Sequence, residues 1–266
     1  MIKLIKRTLS KPYRLIRYSP LYPFYLKFFR NSIYRLYKME SKFYENLLLG
    51  RGAMVFDIGA NVGDKSALFS RFSQRVIAVD PDQHNHKVLK RRFFFQSKVV
   101  VINAAVGSEE GKGFFYVNSP GSPSNTMSVK WKGILEDAKA NRWSTSTTFS
   151  GTYEVDTLTL DALVRKYGVP AYVKIDVEGY EIHVLEGLTK TIPVMSFEAN
   201  LPDFRDETIQ CVHKISRLSS NATFNIVDDR FEFFWDEPKD YRFIVEWLAM
   251  TELKYFEVFC FCKAAS

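Results

Sequence analysis

The segment Val55-Phe56-Asp57-Ile58-Gly59-Ala60-Asn61-Val62-Gly63 constrains this chain more than any other. An apolar run that ends in an acid and passes into spaced glycines reads as a buried strand entering a tight turn, where the glycines let the backbone and a ligand come close. Asp64 to Phe72 follows as a helix and Arg75 to Val79 as a second strand, which completes a strand–helix–strand unit. The alternation continues with a helix over 83–95, strands at 98–103 and 113–117, a helix at 158–167, a strand at 171–175, a helix at 180–189 and a strand from Ile192 to Glu198. Such a pattern predicts a doubly wound α/β domain, its mostly parallel sheet covered on both faces. A helix near 205–219 and strands at 222–227 and Tyr255 to Cys262 follow, and the expected main sheet is seven-stranded with an antiparallel edge strand from this C-terminal part.

The glycine loop is of nucleotide-binding type, but not of the nicotinamide kind, in which G-x-G-x-x-G seats a diphosphate on a helix N-terminus. Asp57 stands ahead of Gly59, Asn61 and Gly63, and an acid there repels a diphosphate while suiting the ammonium of a methionine group. Asp80 closes the second strand, 21 positions after Gly59, where a carboxylate can accept from two ribose hydroxyls. The third strand runs into Asn103-Ala104-Ala105, small residues that leave space for adenine, with Asn103 able to bond its edge. Three markers in order at strand ends point to S-adenosylmethionine, bound by Asp57, Gly59, Asn61, Gly63, Asp80, Asn103 and Ala104.

Charge is distributed unevenly. Residues 1–42 contain 11 Lys or Arg and one acid, Glu40, whereas the remainder carries a net −3. The basicity belongs to an aromatic arm, which suits an anionic membrane face, a partner or RNA, whereas a general nucleic-acid-binding surface would make the folded domain itself basic. A solvated, partly helical extension is the plainer reading. Lys3, Lys6, Arg7, Lys11, Arg14 and Arg17 interrupt any signal-length apolar run, and no stretch approaches the roughly 20 apolar residues of a membrane span. Cys211, Cys260 and Cys262 lack metal-site spacing and read as buried thiols. The expected setting is cytoplasmic, with peripheral membrane association through the arm. The expected division is a basic aromatic extension at 1–48 and a cofactor-binding domain at 49–266. Within that domain lies a Ser/Thr/Asn/Gly/Pro-rich segment at 118–152, long enough to serve as a substrate loop or lid.

Three further stretches complete a pattern: Asp156-Thr157-Leu158-Thr159-Leu160-Asp161, Val173-Lys174-Ile175-Asp176-Val177-Glu178-Gly179-Tyr180-Glu181 and Val184-Leu185-Glu186-Gly187. Together with the glycine loop they resemble the FkbM-type methyltransferases over roughly residues 53–200, most specifically in Lys-Ile-Asp-Val-Glu-Gly-x-Glu. The resemblance implies a class I, Rossmann-like methyltransferase fold, S-adenosylmethionine as donor and, for many members, O-methylation of a sugar or polyketide hydroxyl.

Ligands of open α/β sheets bind outside the carboxyl ends of the strands, where Asp57, Asp80, Asp176 and Glu198 all fall. O-methylation needs a base for the acceptor proton or a metal that acidifies the hydroxyl. Asp176, Glu178 and Glu198 are the catalytic candidates, with His183 ranked behind them because it lies a turn into a helix. The same three acids, with Asn200, would suit a hard divalent ion, although no dedicated metal motif is present and no ligand set is assigned. Glu178 and Glu181 also have a structural reading as acids at a helix N-terminus. Ser122 to Ser128 offer small polar groups for an acceptor, and Trp131, Trp143 and Phe149 either stack on it or anchor the loop. The leading expectation is therefore methylation of a hydroxyl on a small molecule or glycan. RNA methylation and a catalytically silent donor-binding module are the alternatives.

Overall fold

The computed structural model describes residues 17, 19, 22–50, 54–137 and 147–262. Helices α1 (Tyr22–Phe29) and α2 (Asn31–Leu48) precede the first strand, β1 (Met54–Ile58). Then come α3 (Asp64–Phe69), β2 (Arg75–Val79), α4 (Gln83–Arg92), β3 (Val99–Ile102), β4 (Ala105–Val106), β5 (Gly111–Val117), α5 (Val129–Glu136) and β6 (Gly151–Leu158). The remainder is α6 (Leu160–Tyr167), β7 (Tyr172–Ile175), α7 (Glu181–Glu186), β8 (Val194–Asn200), α8 (Arg205–Leu218), β9 (Thr223–Val227), α9 (Tyr241–Met250) and β10 (Tyr255–Phe261).

Seven strands form one sheet in the order β3-β2-β1-β7-β8-β10-β9. Order reverses at β1, which pairs in parallel with both β2 and β7, so the crevice of a doubly wound sheet opens at the carboxyl end of β1. The expected sheet is present, with its antiparallel strand placed differently. β10 is antiparallel to both neighbours, β8 and β9, and lies one strand in from the edge that β9 forms. Its inner position explains its apolar run Val258-Phe259-Cys260, which is buried throughout. Cys211, Cys260 and Cys262 are free, buried thiols, as their spacing suggested.

Two apolar layers cover the sheet. On one face Phe56, Ile58 and Val173 meet α6, α7, α8 and α9. On the other, Val55, Val76 and Tyr172 meet α2, α3 and α4. The chain before residue 49 is thus more than an appendage: Phe43, Tyr44, Leu47 and Leu48 of α2 are buried against the sheet. Helix α2 starts at Asn31, so packed structure extends well into the arm. The sequence pattern hid this, because Arg35, Lys38 and Lys42 on the outer face mask the inner stripe at Phe43, Tyr44 and Leu47.

A three-stranded sheet, β4-β6-β5, stands apart from the main one. β6 begins in the last two residues of the segment expected to be loop, runs beyond it to Leu158, and pairs antiparallel with β5 from Gly111↔Thr157 to Val117↔Gly151. The segment 118–152 also holds α5, ending at Glu136, and residues 138–146, with Trp143, lie outside the described residues. Trp131 is 1% exposed and packs on Phe204, so of its two readings anchoring is the one realised. Because Tyr44 fills the space between α2 and the sheet, Tyr44→Ala is expected to lower stability by about 3–5 kcal/mol. Met39→Ala on the same helix, 41% exposed, is expected to change it by less than about 0.5 kcal/mol, both read from urea midpoints.

Candidate active site

The loop after β1 is shaped by one close approach. Gly59 has φ of +81°, and a Cβ there would lie 1.9 Å from the carbonyl oxygen of Asp176. Only glycine lets this loop press against the end of β7. Its amide, and that of Ala60, donate to the Val79 carbonyl, fastening the loop to β2. Asn61 adopts φ of 50°, and its side-chain oxygen accepts from the Val62 amide, the local bond that makes asparagine tolerant of this region.

Asp57 is buried, accepts from the Ser66 hydroxyl of α3, and is pushed up to about 6 by burial, against the opposing pull of Lys174. Asp80 is also buried. Its Oδ2 accepts from the Asn61 amide at 2.7 Å, and its Oδ1 from the Asp82 amide at 2.9 Å and the Asn85 side chain at 3.1 Å. Burial nevertheless raises Asp80 to about 7. Asn103 has its NH2 engaged by the carbonyls of Asp80 and Pro81, at 2.9 and 3.0 Å. It braces the turn after β2, while Ala104 and Ala105 line the cavity.

Beyond the loop the acids converge. One carboxylate oxygen from each of Asp176, Glu178 and Glu198 lies within 4.8 Å of the other two. β7 delivers Asp176, the turn after it delivers Glu178 at φ of 57°, and β8 delivers Glu198. Lys174, nearly fully buried, donates to Asp176 Oδ2 at 2.8 Å and stands 3.9 Å from Glu257, and these carboxylates keep it protonated despite burial. Glu198 accepts from the Tyr255 hydroxyl and from the Asn200 amide at 2.8 Å. Glu181 lies deeper. Its Oε1 accepts from the amides of Val177 and Gly179, yet burial and then Glu198 raise it to about 8. Burial outweighs the helix-terminus effect expected there. His183 faces outward and pairs with Glu186.

Pattern reading missed the wall contributed by the arm. Lys65 of α3 is ion-paired with Glu40 of α2 and lies over the Tyr44 ring, and burial with Lys174 nearby lowers it to about 8. Tyr44 donates to Glu257, which also accepts from Ser196 at 2.7 Å. Arg17 reaches Asp64 at 2.8 Å, beside the glycine loop. These residues come from remote parts of the chain and only the fold joins them, so no local spacing marks them. The segment before α5 is the other wall: Asn125 donates to Asp82 at 2.7 Å, and Thr126 donates to the Glu178 carbonyl at 2.8 Å. A cavity of about 2370 Å³ results, running from Asp80 and Gly59 past Asp176 and Glu198 to the arm helices. Sites for single small ligands run to about 300–1,000 Å³, so this one has room for a donor and an acceptor together.

The chain belongs to the family described as the methyltransferase FkbM domain, whose model matches residues 57–254. It is an S-adenosylmethionine-dependent methyltransferase of the class I fold. None of the curated proteins compared with it matches. Among solved structures it is similar to a precorrin-6y C5,15-methyltransferase from Geobacter metallireducens, with 10% identity, a TM-score of 0.42 and coverage of 84% of this chain and 87% of that one. An rRNA methylase from Streptococcus thermophilus aligns with 9% identity, a TM-score of 0.44 and coverage of 85% and 95%. An O-methyltransferase from Bacillus cereus aligns with 10% identity, a TM-score of 0.42 and coverage of 84% and 80%. At such values the likenesses carry no weight for substrate or mechanism.

Two outcomes follow from this geometry. Gly59→Ala is expected to cost on the order of 3 kcal/mol, from left-handed strain and the collision with Asp176, measured by chemical denaturation. Asp80 binds its proton more tightly folded than unfolded, so its contribution to stability is full below about pH 4 and is lost as pH rises through about 7. Melting temperatures of Asp80→Asn protein without cofactor are expected to fall less across that window than those of the unaltered chain.

Proposed function

We propose that the protein transfers the methyl group to a hydroxyl of a small molecule or glycan, at the carboxylate cluster of Asp176, Glu178 and Glu198. The observation that carries this reading is the convergence of those three acids beside Gly59. Bound S-adenosylmethionine supplies a methyl group on an electrophilic sulfonium. The residues that suit it are Asp57 and the Gly59–Gly63 loop for its amino-acid part, Asp80 for the ribose hydroxyls, and Ala104 and Ala105 beside the adenine. Buried Asp80 retains lone pairs beyond the contacts it already makes, and small residues leave the cavity open there.

A hydroxyl acceptor must lose one proton as its oxygen gains the methyl carbon. The chain's part is to hold that oxygen in line and to receive the proton, since alignment supplies much of the rate. Lys174 donates to Asp176 Oδ2 and fixes that carboxyl in place. Asp176 then orients the hydroxyl, and Glu178 or Glu198 receives the proton. Tyr255 and Asn200 fix Glu198 in place.

The same oxygens fit a hard divalent cation such as magnesium. The three carboxylates would hold it, with the buried Asn200 Oδ1, which has no hydrogen-bond partner, as a further oxygen donor nearby. Such an ion would supply Lewis acidity toward the acceptor oxygen. RNA is disfavoured as acceptor because the cavity floor is acidic and residues 43–266 are net negative.

Asp176→Ala is expected to reduce methyl transfer by at least about 100-fold while donor binding and cooperative unfolding persist; full turnover would remove the catalytic assignment. Chelation is expected to reduce turnover at least about tenfold, with magnesium restoring it. Turnover insensitive to chelator would leave the carboxylates to act without an ion. Labelled donor incubated with lipid, glycan, RNA and small-metabolite fractions identifies the acceptor class. Label in RNA alone would overturn the hydroxyl-metabolite reading.

A further inference from the structure

Two clusters of exposed phenyl rings border the cavity, on elements far apart in sequence. On α1, Phe24, Phe28 and Phe29 are 63%, 73% and 72% exposed. In the turn after α4, Phe94 and Phe95 are 76% and 94% exposed and meet edge to face at 4.9 Å. Phe24 and Phe95 both line the cavity, so both clusters stand at its rim. Solvated rings of this size are rarely grouped without a partner.

Along the chain the charge next to them is one-signed, although Arg92 pairs with Asp64. Residues 22–38 contain four Lys or Arg and no acid, and residues 83–98 contain five and no acid. Lys27 and Arg30 beside the first cluster, and Lys90, Arg91 and Lys98 beside the second, are exposed. The cavity floor, in contrast, holds Asp57, Asp176, Glu178 and Glu198. Aromatic rings that project between solvated cations match the interface of an anionic bilayer, where rings enter the headgroup region and cations meet the phosphates. A polyanion that followed the basic rim into the cavity would meet the acidic floor.

We infer that Phe24, Phe28 and Phe29 of α1 and Phe94 and Phe95 after α4 form a docking platform for an anionic phospholipid membrane, with the cavity mouth toward the lipid. No helix among the described residues is long and apolar enough to cross a membrane, so the contact is peripheral. Leu26 is buried between the exposed rings of α1, which fixes which side of the helix faces out.

Cosedimentation of the full chain with phosphatidylcholine vesicles, with and without roughly a quarter phosphatidylglycerol, tests this. The expected result is binding to the anionic vesicles only, lost in high salt. The paired changes Phe28→Ser with Phe29→Ser, and Phe94→Ser with Phe95→Ser, are each expected to weaken it at least about tenfold while the urea unfolding midpoint stays unchanged. Equal binding to neutral vesicles, no vesicle binding, or wild-type binding by either pair would overturn the platform. So would retention on RNA, or dimerisation through these rings, in place of vesicle binding. None of these results bears on methyl transfer, which fails separately if the chain does not bind donor.

Discussion

The buried ammonium of Lys174 is the interaction on which the site depends. A doubly wound sheet brings its strand ends together at one edge, and this chain places Asp57, Asp176, Glu198 and Glu257 there, on strands that are hydrogen-bonded to one another in sequence across the sheet. Carboxylates so close and so poorly solvated repel one another and rise toward protonation, as Asp57 does. Lys174, on the central strand β7, reaches Asp176 and stands near Glu257, and thereby offsets the crowding where it is greatest. A buried cation is costly without partners, and here the partners are acids of the cluster, Asp176 and Glu257.

That arrangement needs a roof. The outer side of the Lys174 network is closed by α2, whose Tyr44 donates to Glu257 and whose Glu40 pairs with Lys65. Helix α2 therefore does two things at once: it buries Phe43, Leu47 and Leu48 against the sheet, and it lowers the dielectric around the charged groups, which strengthens each electrostatic contact. The segment before α5 closes the opposite side through Asn125 and Thr126. The donor loop and the acid cluster are joined directly, because Gly59 packs on the Asp176 carbonyl.

The parts legible in the sequence were those encoded locally. The βαβ alternation, the glycine loop, the strand-end acids and the family pattern each occupy a short stretch, and the convergence of Asp176 with Glu198 followed from adjacent parallel strands. The parts not legible depend on distant pairings. β6 reads as part of a polar loop because its outer residues, such as Thr152 and Glu154, face solvent and its partner β5 lies more than 30 residues away. Helix α9 escaped notice beside the aromatic run at Phe231 to Trp235. The roof formed by α2 was obscured by the basic residues that make the arm look like a free extension. Asn103 falls just after β3, at a strand end as its spacing suggested, yet its side-chain NH2 is taken up by the turn it stabilises.

The central claim is that the donor loop and the three carboxylates form one site, with methyl transfer occurring where they meet. A crystal structure of the chain with S-adenosylhomocysteine tests it most directly. The account predicts the ribose at Asp80 and the thioether sulfur facing Asp176, Glu178 and Glu198. A sulfur directed away from those carboxylates, or a ligand seated apart from the Gly59–Gly63 loop, would contradict it.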